Sequence, residues 1–269
     1  MDEALLDKGN DMSSPISVVL ITKNEAQNLE TCLKSVSFAE DIVVLDSGSS
    51  DGTRELAQQL GARVFLESWR GFGPMKRRAV ELARHDWVLS LDGDEALDPK
   101  AQKFVQELFQ KGEPQVSAYK FSRISFHLGR WIRHGGWTPD YQLRLFDRRK
   151  ANWNQSQIHE KVEVSSGEVS VARGKIQHWV FRDLSHQIET NNRYSSLGAQ
   201  ALYDKGVKFS FSRLIFKPIS KFFETYLAKK GFLDGLPGFI ISVGAAYSVF
   251  LKFSKLWELQ KGLKAKDQG

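Results

Sequence analysis

The chain has one cysteine, Cys32, so it cannot build an intramolecular disulfide framework. That fits a reducing compartment. It also lacks an apolar run of the ~20 residues that a membrane-spanning helix usually needs. The charge-free stretch from Gly235 to Leu251 falls short of that length and is interrupted by Pro237, Gly238 and Gly244. Residues 1–14 are acidic and polar with no apolar centre, which argues against a secretory signal and predicts a loose tail. No internal repeat and no long low-complexity linker divides the sequence.

What remains is the composition of a folded protein. Hydrophobic residues make up 41% and charged residues 26% of 269 positions, enough to bury a core in one large α/β domain with an appendage. The net charge of +6 is unevenly placed. From Lys205 onward there are 12 Lys and Arg against four acids, a net of +8, which leaves the preceding part at −2. Such a basic end suggests an anionic partner: a membrane surface, a nucleic acid or a phosphorylated substrate.

Strand and helix patterns alternate through the first hundred residues. Ile16 to Ile21 and Trp87 to Leu91 read as buried strands, Asp41 to Leu45 as a second strand and Arg63 to Leu66 as a short third one. Helical spacing follows at Leu29, Leu33 and Val36, around Arg54 to Leu60, and from Met75 to Ala83. This predicts a doubly wound, mostly parallel sheet. After Lys111 the strand-like pieces at 118–121, 142–146, 161–164 and 175–179 are expected to complete that sheet, and from about Asp183 the chain turns helical.

Four elements carry candidate chemistry. The strand Trp87-Val-Leu-Ser-Leu ends in Asp92-Gly-Asp-Glu95, three carboxylates at a sheet edge where open α/β sheets bind ligands. Such crowding is relieved by a shared cation, and oxygen ligands favour Mg²⁺ or Mn²⁺; the competing reading is an acidic loop that caps the helix near Pro99. Thr22-Lys-Asn-Glu25 follows the first strand. Asp46-Ser-Gly-Ser-Ser-Asp-Gly-Thr53 follows the second, where Asp46 can accept the N3–H of a uracil or thymine ring, or can simply organise the turn. In Arg70-Gly-Phe-Gly-Pro-Met-Lys-Arg-Arg78 the glycines free the backbone and Lys76, Arg77 and Arg78 offer charge to a diphosphate, or form a solvated helix face.

Together these residues resemble the family 2 glycosyltransferases of the GT-A (nucleotide-diphospho-sugar transferase) fold, from about Ile16 to Trp179. The phrases Trp69-Arg-Gly-Phe-Gly73, Trp87 to Asp92 and His159-Glu-Lys-Val162 look like the branch of lipopolysaccharide core β-1,4-glucosyltransferases that act on an inner-core heptose. The resemblance implies that Thr22, Asn24 and Glu25 line the nucleoside pocket, that Asp46 faces the base, and that Lys76 lies near the nucleotide. It implies that Asp92 contacts the ribose or a metal-bound water and that Asp94 ligates Mg²⁺ or Mn²⁺. Glu160 matches the acceptor-side base, although many relatives have a Glu-Asp pair there. His178 either completes the metal shell or is structural, and His159 either orients Glu160 or touches the acceptor. Arg77 stands where relatives often have asparagine, and Gly93 replaces a common alanine. Gly135-Gly136-Trp137 suits a flexible loop over the donor sugar, with the indole as a stacking surface or as ordinary core.

These implications give a provisional layout: a tail at 1–14, a catalytic domain at 15–182, and a basic helical region at 183–269. In that last region Phe211, Leu214, Ile215, Ile219, Phe222, Phe223, Tyr226 and Leu227 share one helical face. The face suits an anionic bilayer surface, or packing on the catalytic domain or a second subunit. Nucleic acid is disfavoured because the aromatics lie among aliphatics. The expectation is an inverting, metal-dependent transferase moving a sugar from a UDP-sugar or similar donor to a glycolipid or saccharide acceptor, peripheral to the cytoplasmic face of the inner membrane. The alternatives are a transferase for another envelope polysaccharide or a polyprenyl phosphate, and a non-catalytic nucleotide-sugar-binding protein.

Overall fold

The computed structural model describes residues 14–156 and 160–262. The expected tail up to residue 13 and His159 lie outside the described residues. The chain forms two compact units, Met1–Arg123 with Asp140–His178, and Ile124–Pro139 with Trp179–Gly269.

The first unit opens with β1 (Ile16–Thr22), α1 (Ala26–Lys34), β2 (Asp41–Asp46), α2 (Thr53–Gln59), β3 (Arg63–Leu66), α3 (Phe72–Glu81) and β4 (Trp87–Asp92). A short β5 (Glu95–Leu97) and α4 (Pro99–Gln110) follow. Then come β6 (Ala118–His127), whose last residues begin the second unit, β7 (Arg130–Ile132), β8 (Asp140–Asp147), β9 (Ala151–Trp153), β10 (Val162–Val164) and β11 (Val169–His178). The sheet order is β3-β2-β1-β4-β8-β6-β11-β5, with β7 paired to β6. β1 to β4 are parallel, whereas β8 runs antiparallel to β4 and to β6.

Alternation of side chains along each strand builds the two layers. Ile16, Val18 and Leu20 of β1 pack with Leu29 and Leu33 of α1 and Val105 and Phe109 of α4. Val19 and Ile21, from the same strand, pack with Met75, Ala79 and Val80 of α3 on the other face. A strand covered on both faces needs a near-continuous apolar run, which is why β1, β2 and β4 are hydrophobic apart from the buried Ser17, Thr22 and Ser90 and the acids at the ends of β2 and β4. The Asp98 carboxylate accepts the Ala101 N–H at 2.7 Å and Pro99 occupies the first turn, so α4 starts at a capped N-terminus.

One expected strand goes elsewhere. Val162–Val164 does not complete the large sheet; it pairs antiparallel with Ala151–Trp153 in a separate ribbon. Three residues of alternating burial cannot supply the apolar run that a central position demands.

The second unit is helical: α5 (Leu184–Asp204), α6 (Phe211–Phe223), a π-helical turn (Glu224–Ala228), a 3₁₀ turn (Gly231–Asp234) and α7 (Gly235–Lys261). Ala199, Phe253 and Leu256 form its small core. The turn into α7 is tight, because a Cβ on Gly238 would lie 1.9 Å from the Gly231 carbonyl oxygen. Asp234, buried there, accepts the backbone N–H of His134 at 2.8 Å and of Arg133 at 3.1 Å. The helix expected to be short of a membrane span continues past Leu251, since Lys252 and Lys255 interrupt the charge-free run without ending the helix. Residues Gly231–Lys261 are long and apolar enough to cross a membrane by length and composition.

Candidate active site

Parallel register sets three strand ends side by side. Thr22 of β1 lies opposite Asp46 of β2, and Ile21 lies opposite Asp92 of β4. The turn after β1 is stitched to the turn after β2 by side chain-to-backbone bonds. Asn24, at φ 57°, donates its N–H to Ser49 Oγ at 2.8 Å and accepts the Ser50 N–H on its side-chain oxygen at 2.9 Å. The Glu25 N–H donates to Thr53 Oγ1 at 2.9 Å. Asp46 is fully buried: Oδ1 accepts the N–H groups of Gly48 and Ser49 at 2.9 and 2.8 Å, and Oδ2 accepts the hydroxyls of Thr22 and Ser49. Both its oxygens are thus taken by the loop that forms this wall of the site. The Asp92-Gly-Asp turn presses on the same wall, since a Cβ on Gly93 would lie 3.0 Å from Glu25 Cγ and 3.1 Å from Thr22 Cγ2.

Crowding of Asp92 and Glu95 is relieved by the protein's own cations. One guanidinium nitrogen of Arg144, on β8, lies 2.8 Å from Asp92 Oδ2 and 2.7 Å from Glu95 Oε1. Arg123, on β6, adds a second cation 3.0 Å from Glu95 and pairs with Asp140 at 2.8 Å. Burial pushes the Asp92 carboxyl up, but Lys76 and Arg144 outweigh it and hold Asp92 well below the ordinary carboxylate range. Glu95, also buried, is held down mainly by Arg144 against the opposing charge of Asp92. The same carboxylates oppose the effect of burial on Arg144 and raise it. Arg144 and Arg123 were not singled out from sequence. Strand alternation gives no signal for Arg144, since an arginine between Leu143 and Leu145 can equally face solvent.

Lys76 joins this cluster to the candidate base. It projects from α3, is only 4% exposed, and places its ammonium 2.9 Å from Asp92 Oδ1 and 3.2 Å from Glu160 Oε1. The ammonium lies 4.6 Å from the ring centroid of Trp153, whose indole N–H donates to Ser90 at 3.1 Å. Asn154 to Ser156, on the way to Glu160, dock on the first turn of α3. The Gly73 N–H donates to the Ser156 carbonyl at 3.2 Å, and a Cβ on Gly73 would lie 2.5 Å from the carbonyl oxygens of Asn154 and Ser156. Glycine is required at that close approach.

Antiparallel pairing of β11 with β5 sets His178 opposite Glu95. His178 Nε2 consequently lies 3.3 Å from Asp94 Oδ2. Among the described residues no three His, Cys, Asp or Glu side chains are close enough to hold an ion by themselves. The Asp94–His178 pair nevertheless fits a divalent cation, because Mg²⁺ and Mn²⁺ are commonly held by one or two protein ligands with substrate phosphates and water. The surrounding charge agrees. Asp92, Asp94, Glu95, Asp140 and Glu160 face the permanent cations Lys76, Arg123 and Arg144, a net of two negative charges with His178 counted neutral.

The other candidates have partners of their own. Arg78 pairs with Glu67 at 2.7 Å and Glu81 at 3.2 Å, and Arg77 donates to the Trp153 carbonyl at 3.4 Å. Trp137 belongs to the second unit, where its ring stacks on His127 with centroids 6.0 Å apart. Its loop is held: the Gly135 N–H donates to the Lys229 carbonyl at 2.8 Å, and the Lys229 side chain closes over Gly136.

A parallel four-strand half, an antiparallel continuation and an Asp-x-Asp turn at the strand ends define a glycosyltransferase of the GT-A type. Residues 17–167 match Glycosyl transferase family 2, and the chain belongs to that family. It is 31% identical to the lipopolysaccharide core biosynthesis glycosyltransferase LpsC of Rhizobium meliloti (strain 1021), over 94% of this chain and 95% of that one. It is 28% identical to the uncharacterized glycosyltransferase RT0209 of Rickettsia typhi (strain ATCC VR-144 / Wilmington), over 91% of this chain and 87% of that one. Among solved structures, glucosyl-3-phosphoglycerate synthase from Mycobacterium tuberculosis, in complex with Mn²⁺, UDP and glucosyl-3-phosphoglycerate, is 28% identical over 42% of this chain and 44% of that one. Its TM-score of 0.35 is too low for that likeness to bear on ligand or metal here.

Proposed function

We propose that this chain is an inverting glycosyltransferase that moves a sugar, with glucose the leading candidate, from a UDP-sugar or related nucleoside-diphosphate sugar to a lipopolysaccharide core or related envelope glycolipid. The observation that carries this reading is the ion pairing of Lys76 both to Asp92, at the end of β4 and two residues before Asp94, and to Glu160. A pure binding protein has no use for the acceptor-side acid.

In this reading Thr22, Asn24 and Glu25 border the nucleoside, and Asp46 braces the loop beside it. Asp94 and His178 hold the divalent cation, which when bound offsets the negative charge developing on the departing diphosphate. Asp92, kept ionised by Arg144 and Lys76, orients the ribose side of the donor. Glu160 accepts the proton of the acceptor hydroxyl as that oxygen bonds to the anomeric carbon. The bond from that carbon to the diphosphate oxygen breaks on the opposite face, and its electron pair leaves with the diphosphate. A single displacement inverts the anomeric centre, so an α-linked donor gives a β-linked product.

The acceptor class agrees with the second unit. Phe211, Phe216 and Phe223 of α6 and Leu236 and Phe239 of α7 are exposed on a segment that also carries Arg213, Lys217, Lys221, Lys229 and Lys230. Apolar side chains among cations suit the anionic cytoplasmic face of an inner membrane, where a lipid-borne acceptor would be presented.

A panel of UDP-, GDP- and ADP-sugars with truncated core glycolipids tests the reading. Nucleoside diphosphate should be released only when donor, acceptor and divalent cation are all present, and EDTA should stop it. Release that ignores the acceptor would indicate a donor hydrolase, and tight donor binding without release an inert binder.

A further inference from the structure

Among the described residues, Lys76 is the cation paired to both halves of the proposed chemistry. Its ammonium is ion-paired to Asp92 on the donor side and to Glu160 on the acceptor side, at positions 16 and 84 residues away in the chain. The two carboxylates are not equally dependent on it. Asp92 has a second cation, Arg144, at 2.8 Å. For Glu160, Lys76 is the paired cation among the described residues. Held this way, Glu160 has one carboxylate oxygen occupied by the ammonium at 3.2 Å, where an acceptor hydroxyl would have to approach.

We propose that Lys76 couples donor binding to release of the base: the diphosphate of the donor draws the ammonium away from Glu160 and leaves that carboxylate free to take the acceptor proton. This rests on the reading of Glu160 as the base. Lysine suits the task because its ammonium is a compact charge with three donors on a flexible stem, able to exchange one anionic partner for another. A diphosphate carries more charge than one carboxylate and so competes well for it. Asp92 keeps Arg144 throughout, so the cost of the exchange falls on Glu160. The Trp153 ring 4.6 Å from the ammonium gives Lys76 a fixed surface to remain against while its partner changes. The consequence is an order of events in which the base stays masked until a donor is in place. Lys76 acts on the proton transfer through Glu160, as a positioning residue.

Zero-length carbodiimide cross-linking reads the ion pair directly, since an activated carboxylate couples to a neighbouring amine. The wild-type protein would be treated alone and with Mn²⁺ plus a nucleoside diphosphate, chosen by calorimetry as a binder from UDP, GDP, ADP and dTDP, and then mapped by peptide mass spectrometry. The free protein should yield a Lys76–Glu160 isopeptide, and saturating nucleotide should remove it. A cross-link of equal yield with bound nucleotide would overturn the proposal, and so would its absence from the free protein. If none of the four nucleotides binds, the donor reading falls and the proposal with it. If the cross-link responds as expected while Glu160→Gln still transfers sugar, the exchange stands as a structural event and the coupling to catalysis is overturned.

Discussion

Arg144 lies 2.8 Å from Asp92 across the strand pair β4 and β8, and it is almost wholly enclosed there. The same nitrogen serves Glu95, so one guanidinium neutralises two acids that would otherwise repel. Replacing Arg144 by methionine keeps the bulk and leaves Asp92 to Lys76 and Glu95 to Arg123. Breaking a buried ion pair by removing one partner typically costs about 3–5 kcal/mol. Thermal denaturation should therefore show a large fall in Tm for Arg144→Met. Arg144→Lys should recover only part of it, since the ammonium sits one bond nearer the backbone than the terminal guanidinium nitrogen that meets both acids. An unchanged Tm would remove Arg144 from its place as the clamp of this site.

Acid stability follows from the same geometry. Asp92 and Glu95 are held below their ordinary range in the folded protein, so between the folded and unfolded values the unfolded chain binds more protons. Stability from these groups is complete at neutral pH. It is expected to decline as pH falls through roughly 4.5 and below, the range where unfolded carboxylates protonate. Urea titrations at a series of pH values should show that decline in the wild type and a shallower one in Arg144→Met. Parallel acid limbs would contradict the assignment.

Gly73→Ala tests how the segment leading to Glu160 is seated. The added methyl group would meet two backbone carbonyls at 2.5 Å, and backbone cannot swing aside as a side chain can. Overpacking of this kind costs about 1–3 kcal/mol. The expected result is a lowered Tm together with a loss of sugar transfer larger than any loss of donor affinity, because Glu160 lies downstream of the displaced residues. Transfer equal to that of wild type would mean that the docking on α3 does not position Glu160.

Phe216 and Leu236 are 68% and 70% exposed on α6 and α7. If that surface meets a bilayer, Phe216→Glu with Leu236→Glu should abolish flotation with anionic liposomes while leaving circular dichroism and thermal unfolding unchanged. Flotation by the double variant at wild-type level would assign the exposed apolar surface to something other than lipid.

The strand–helix alternation of the first hundred residues was legible because the inner parallel strands β1, β2 and β4 are covered on both faces and so announce themselves as largely apolar runs. The Asp-x-Asp turn was legible for the same reason, since it ends such a run. Arg144 and Arg123 were hidden by distance: each lies on a later antiparallel strand, and only register brings Arg144 to Asp92. Three crowded acids, Asp92, Asp94 and Glu95, point in sequence to a shared metal ion. In the fold Arg144 and Arg123 relieve Asp92 and Glu95 and leave Asp94 beside His178, because antiparallel register, invisible in sequence, brings those arginines to the strand end. The Val162–Val164 strand was misassigned because three residues cannot show which partner they choose.

The most direct test of the account is Glu160→Gln, measured in parallel for donor binding by calorimetry and for sugar transfer to a core glycolipid. General-base catalysis typically contributes about 10²–10⁴-fold, so transfer should fall by that order while donor affinity is kept or tightened, since Lys76 no longer leaves a charged partner to meet the diphosphate. Transfer at the wild-type rate by the purified variant would contradict the assignment of Glu160 and with it the proposed chemistry of this sheet edge.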